Sequence, residues 1–150
     1  MRGLRNFAVL ALLAAASLPA HARQLAVVAD SANPTTNLTA ADLARIFNGR
    51  LKTWPDGKPI VVVVRDVSSA DMQPVLHKLF NMTPDQARQF VEAHRGAIVV
   101  ADSDDAVIHF VSANRGAIGV VDLYSLTKGV NVLKVDGKLP VEQGYFLRGN

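Results

Sequence analysis

One arginine and two serines after an apolar run are the residues best placed for chemistry in this sequence. Ile60–Val64 is β-branched and has no polar alternation, which predicts a strand covered on both faces, and Arg65 ends it. Ser68 and Ser69 then precede a predicted helix that ends near Phe80. A guanidinium, two hydroxyls and the N–H groups of a helix start favour an oxyanion. Because α/β sheets bind ligands at the carboxyl ends of their strands, we expect the site there.

The same residues also have an interpretation without a ligand. Ser68 and Ser69 would then only cap the helix, and Arg65 would pair with Asp66 or Asp71. The local pattern leaves both interpretations open.

Other kinds of chemistry find little support in the sequence. It has no Gly-x-Ser-x-Gly elbow, no Walker loop and no dinucleotide glycine motif. His77, His94 and His109 lack metal-ligand spacing, and the absence of cysteine excludes disulfides and thiolate sites. Acidic residues such as Asp104 and Asp105 are explained as charges at a helix start. We therefore predict a non-enzymatic protein with no catalytic residues, no metal and no cofactor.

Residues 1–22 have the pattern of a cleavable signal peptide. Arg2 and Arg5 give a positive start, Phe7–Ala16 is apolar, and Pro19 precedes the small residues of Ala20–Ala22. A membrane-spanning helix needs about 20 apolar residues, and this run is much shorter. We therefore expect export by a cleaved leader and a soluble periplasmic protein.

The segment 23–150 has the length of one domain with its own core. Without the leader it carries 14 Lys and Arg against 13 Asp and Glu, a net charge of +1 with histidine neutral. No dense basic run is present, so nucleic-acid binding is not expected.

Strand and helix patterns alternate along this segment. The predicted strands cover residues 25–29, 60–64, 97–100, 117–121 and 130–135, and residues 30–37 are predicted as a polar loop. The predicted helices cover residues 40–48, a stretch between 68 and 80 that starts near Ser69 or Asp71, residues 84–94, and a stretch from Ser103 to Asn114. The tail beyond Gly137 receives no assignment. The order predicts an α/β fold, with a mostly parallel or mixed sheet flanked by helices.

Four short motifs in this order resemble the periplasmic phosphate-binding proteins of ABC transporters. They are Leu38-Thr39-x-x-x-Leu43-x-x-Ile46-Phe47-x-Gly49, Trp54-Pro55-Asp56-Gly57-x-Pro59-Ile60, Val64-Arg65 and Gly116-Ala117-Ile118-Gly119-Val120. The resemblance implies a type 2 periplasmic-binding fold, with phosphate or a related oxyanion as ligand and Arg65, Ser68 and Ser69 as its contacts.

The sequence departs from that family in two ways. The family's arginine is followed by a Gly-Ser-Gly-Thr type loop, whereas residues 66–71 here contain no glycine and two carboxylates, Asp66 and Asp71. Each carboxylate near a bound anion would cost about 1–4 kcal/mol. The family closes two lobes around its ligand, whereas residues 23–150 have the length of one lobe.

These observations lead to three hypotheses. The first is a periplasmic substrate-binding-like module for an oxyanion, working with an inner-membrane transporter or sensor. The alternative is a protein-interaction or sensor-accessory module that has lost small-anion binding. The third is a small periplasmic hydrolase, which would need a buried acid–base pair.

Overall fold

A computed structural model describes residues 24–148, in which one sheet carries helices on both faces. The predicted leader, residues 1–22, lies outside the described residues. The strands are β1 (Leu25–Asp30), β2 (Asn37–Leu38), β3 (Val61–Val64), β4 (Ile98–Val100), β5 (Ala117–Asp122) and β6 (Val130–Val135). The helices are α1 (Ala40–Phe47), the irregular α2 (Ala70–Met72, Gln73–Val75 and Leu76–Phe80), α3 (Pro84–Ala93) and α4 (Asp104–Ala113).

The sheet is mixed, as the alternation of elements predicts. Its strand order is β2-β6-β1-β5-β3-β4. β1 runs antiparallel to both of its neighbours, β5 and β6, while the other pairs are parallel. The predicted α/β fold is therefore confirmed. The carboxyl ends of β3, β4 and β5 all point the same way, because these strands are parallel. We call this row of strand ends the carboxyl edge, and the row at the opposite ends of the strands the amino edge.

Helices α1 and α3 form where local capping chemistry predicts them. The Thr39 hydroxyl accepts a hydrogen bond from the Asp42 amide at 3.0 Å, which caps α1. Thr83 and Gln86 form a reciprocal capping box at the start of α3, with Pro84 as its first residue. Both helices match the predicted bounds to within one residue.

Helix α2 differs from the regular helix predicted for this stretch. It begins as a 3₁₀ turn, continues through one α-helical turn and ends as a π turn. Pro74 has no N–H to donate to the preceding turn, which disfavours regular α-helix there. At the other end, the Asn81 amide donates to the Leu76 carbonyl at 2.9 Å, five residues back, and Asn81 stops the helix with a φ of 53°.

The valine run of β3 is buried on both faces, as predicted. Val62 and Val64 belong to the larger core cluster, with α1, α2 and α3, whereas Val63 belongs to the smaller cluster under α4. Their exposed fractions are all 3% or less. The two helical layers are therefore built on opposite faces of this strand.

Two segments without a clear sequence pattern join the sheet through long-range contacts. β2, part of which was predicted as loop, pairs in parallel with β6. In the unassigned tail, Tyr145 and Leu147 are buried in the larger core cluster. The Lys78 ammonium donates to the Phe146 carbonyl at 2.7 Å and so fixes the tail against α2.

Gly116 joins two of the quoted motifs. Its carbonyl accepts hydrogen bonds from the Trp54 indole at 3.1 Å and from the Val61 amide at 3.0 Å. A Cβ atom at position 116 would collide with the Pro59 carbonyl oxygen. The missing side chain is therefore what lets the tryptophan loop lie against the start of β5.

We expect Gly116→Ala to destabilise the protein by about 3 kcal/mol, because backbone atoms must move to admit the methyl group. Gly96→Ala is the matched control, since nothing lies within 4 Å of its added Cβ and neither glycine has a positive φ. Urea unfolding measures both variants. Equal midpoints for the two would contradict the close packing at Gly116.

Candidate functional site

The carboxyl edge gathers charged residues from several elements. Arg65 follows β3, Asp104 is the first residue of α4 just after β4, and Asp122 ends β5. β3 pairs in parallel with both β4 and β5, so these positions become neighbours although they are far apart in sequence. This edge is where an α/β sheet usually binds its ligands.

Arg65 lies between two carboxylates. Its Nη1 is 3.3 Å from Asp104 Oδ1 and its Nη2 is 3.3 Å from Asp71 Oδ2. The side chains are partly buried, with exposed fractions of 24% for Arg65, 25% for Asp71 and 12% for Asp104. Partial burial reduces solvent screening, so these pairs hold the guanidinium more firmly than exposed pairs would.

Asp104 also contacts the end of β5. Its Oδ2 accepts hydrogen bonds from the Asp122 amide at 3.0 Å and from the Ser125 hydroxyl at 2.8 Å. Ser103 caps α4 by accepting from the Ala106 amide, which leaves the Asp104 carboxylate free to face the sheet. One side chain thus links the ends of β3 and β5 to the start of α4.

Ser68 and Ser69 direct their hydroxyls to Asp66. The Ser68 hydroxyl and amide both donate to Asp66 Oδ1, at 2.6 and 2.9 Å, and the Ser69 hydroxyl donates to the Asp66 carbonyl at 2.8 Å. The hydrogen bonds from Ser68 lower the pKa of Asp66 below its ordinary value. Of the three predicted ligand residues, Arg65 therefore faces the sheet ends, and the two serines bond within their own loop.

The Arg65 guanidinium still has donors to offer. It carries five N–H groups, and its two ion pairs engage one through each terminal nitrogen. Its partial exposure leaves a ligand access to the rest. The two carboxylates exceed the single positive charge, so an added anion meets a net negative surrounding.

Sequence reasoning missed the roles of Asp104 and Ser125. Asp104 was interpreted as a helix-start charge, and it does occupy the first turn of α4. Its bond to Arg65 spans 39 residues and exists because β3 and β4 are neighbours. The available signal was the Ser-Asp pair that follows a predicted strand, since strand ends collect at one edge. Of the two partners considered for Arg65, Asp71 forms the ion pair.

Within residues 24–148, no three His, Asp or Glu side chains are grouped so that they could hold a metal ion. His77 contacts Gln73, and His94 contacts the Phe90 carbonyl. None of the helices in this part of the chain is both long and apolar enough to cross a membrane.

Comparison with known families identifies the fold's relatives. The family model of the PBP superfamily domain matches residues 10–145. The chain belongs to this family. No curated protein matches the chain at a significant level of sequence similarity.

Solved structures similar to this PBP superfamily member include two proteins at 25% identity. An ABC-type phosphate transport receptor from Vibrio cholerae aligns with a TM-score of 0.70 over 85% of this chain and 55% of its own. PstS from Borrelia burgdorferi aligns with a TM-score of 0.70 over 86% and 55%. A putative phosphate ABC transporter substrate-binding protein with bound phosphate from Clostridium perfringens shares the fold at 22% identity, with a TM-score of 0.65 over 79% and 47%. The chain thus spans about half the length of these structures.

We expect Asp104→Ala to destabilise the protein by about 2–4 kcal/mol, because it removes an ion pair and leaves the Ser125 hydroxyl and the Asp122 amide without their acceptor. Asp105→Ala is the matched control. It removes the same charge from the same helix start and should cost less than about 1 kcal/mol. Urea unfolding measures both, and similar losses would show that Asp104 contributes only through the helix end.

We expect Ser68→Ala to raise the pKa of Asp66, because the carboxylate loses a hydroxyl donor. Because the folded state lowers the pKa of Asp66, its carboxylate stabilises the fold at pH above the pKa of the unfolded chain. This stabilisation is lost as the pH falls through the pKa of the folded state. In Ser68→Ala the loss should occur at higher pH. Carboxyl-carbon NMR titration measures it, with Ser69→Ala as control because Ser69 bonds to the carbonyl of Asp66. An unchanged Asp66 titration in Ser68→Ala would refute this assignment.

Proposed function

We propose that residues 23–150 form a non-enzymatic, periplasmic substrate-binding-like domain that binds phosphate or a related oxyanion at Arg65. The leader 1–22 would direct its export, and an inner-membrane transporter or sensor would be its partner. The family and two solved structures at 25% identity, an ABC-type phosphate transport receptor and PstS, support this class of function.

The observation that carries the proposal is the position of Arg65. Its guanidinium stands at the carboxyl edge, partly exposed and held in a fixed orientation by two carboxylates. A planar fork with unused donors suits an oxyanion, which can accept two parallel hydrogen bonds. Ser68 and Ser69 lie in the adjoining loop and would serve an anion after turning away from Asp66.

The same carboxylates limit the affinity that we expect. An anion on Arg65 would stand close to Asp71 and Asp104, and each repulsion would cost about 1–4 kcal/mol. Using the Ser68 donors would also require breaking their bonds to Asp66. Binding should therefore be weak and sensitive to Asp71.

We expect phosphate to stabilise the secreted protein at millimolar concentration, with a one-site signal in calorimetry. Arg65→Gln should abolish the signal, whereas Asp71→Asn should strengthen binding several-fold because it removes a nearby negative charge. Arg95→Gln is the charge-matched control, since Arg95 is exposed and pairs with Glu92 far from β3's end. Each variant is first shown to be folded by its circular dichroism. If neither the native protein nor Asp71→Asn binds phosphate, the proposal is refuted.

The second candidate is the protein-interaction module, and a different observation favours it. Arg65 already has two carboxylate partners, and apolar groups are exposed at the same edge. Tyr124, just after β5, is 92% exposed, and Val100, at the end of β4, is 53% exposed. Tyrosine is enriched at protein interfaces, so this edge suits contact with a protein surface. Failure of the anion titration would favour this second candidate.

A further inference from the structure

A second concave site lies at the amino edge, away from Arg65. It is a cavity of about 280 Å³ that lies between helices α1 and α3 and the face of the sheet that carries the larger core cluster. Ile46, Ile60, Val62 and Ile98 line it and are almost fully buried. Val62, which lines the cavity, lies three residues before Arg65, about 10 Å along the strand. Its volume is close to the lower end of small-molecule sites, about 300 Å³.

Two glycines belong to the lining of the cavity. Gly96 is exposed, and an added Cβ there would meet nothing within 4 Å. Gly49 has a φ of 80°, and an added Cβ there would lie 3.1 Å from the Phe90 ring. Gly49 therefore lets the α1–β3 connection approach Phe90, which forms one wall.

The backbone of the walls has little hydrogen-bonding capacity left for a ligand. The Ile60 amide donates to the Lys52 carbonyl, the Val62 amide to the Ala97 carbonyl, and the Ile98 amide to the His94 carbonyl, each within 2.9 Å. The interior is consequently apolar and suits a hydrocarbon body.

The mouth of the cavity carries nitrogen groups and no carboxylate. Lys52 and His94 line it, and no Asp or Glu does. The Nδ1 atom of His94 bonds to the Phe90 carbonyl at 2.7 Å, and its ring lies 4.1 Å from the Phe90 ring at a tilt of 34°. This contact fixes the imidazole with its Nδ1–H donated to the carbonyl, so in that neutral tautomer Nε2 is an acceptor and the Lys52 ammonium is the donor for an anion. An aromatic wall with an ammonium beside it suits a flat ring that bears one negative charge.

We propose that this cavity binds a small aromatic carboxylate, with the ring against Phe90 and the carboxylate at the Lys52 ammonium. Inorganic phosphate lacks the apolar body that the walls require, so this site is independent of the one at Arg65. The proposal stands whether or not Arg65 binds an anion.

Phenylacetate is the probe, titrated into the full secreted protein labelled with ¹⁵N. We expect saturable amide shifts centred on residues 96–98 and 60–62 in the millimolar range, as suits a ligand of about ten non-hydrogen atoms. Phenylacetamide, which has the same shape without the charge, should bind about tenfold more weakly. Shifts centred on residues 65–71, or no saturable shifts, would overturn the proposal.

Two variants test the assignment separately. Gly96→Leu adds a bulky side chain at a lining position and should weaken binding, with Ala93→Leu, on the exposed end of α3, as its control. Lys52→Gln should weaken phenylacetate about tenfold and leave phenylacetamide unchanged, with Lys58→Gln as its control. Lys52 is exposed, so its variant keeps the test valid if Gly96→Leu does not fold. Unchanged phenylacetate affinity in Lys52→Gln, or equal affinities for the two probes, would refute the anionic site.

Discussion

The carboxylate of Asp104 is the contact on which the arrangement of the carboxyl edge depends. One of its oxygens holds the Arg65 guanidinium after β3, and the other accepts from the Asp122 amide and the Ser125 hydroxyl at the end of β5. Because Asp104 begins α4, the positive end of that helix also favours its charge. Three elements thus meet at a single side chain, and the orientation of Arg65 follows from it.

Local chemistry predicts most of the elements and none of the long-range joins. Thr39 and Thr83 cap their helices through amides only three residues away, so sequence suffices to place the starts of α1 and α3. β2 exists only because β6 is beside it, and Tyr145 and Leu147 are buried only because the tail returns to the core. Neither segment is periodic enough to reveal its structure by itself.

The candidate site also combines features that the local sequence predicts with contacts that depend on the order of the strands. The position of Arg65 at the end of a buried strand follows from the valine run, and its pairing with Asp71 lies within reach of a local pattern. Its pairing with Asp104 depends on which strand lies beside β3, and strand order is not written in the spacing of residues. The serines were expected to face a ligand, but Asp66 is closer in the chain and competes for their donors.

Asp66 explains how this loop can form without the glycines that the resemblance to phosphate-binding proteins led us to expect. In a glycine-rich loop, amides converge on an external anion. In residues 66–69, the carboxylate of Asp66 accepts from the Ser68 amide and hydroxyl and so acts as an internal anion. Asp71 and Asp104 do the same for Arg65. The donors at this edge are thus partly satisfied before any ligand arrives, so the fold does not need one for stability. An external oxyanion gains only the difference between its own bonds and those that it displaces. If that difference favours the oxyanion, the domain binds it as proposed. If it does not, the protein-interaction module is the function that remains.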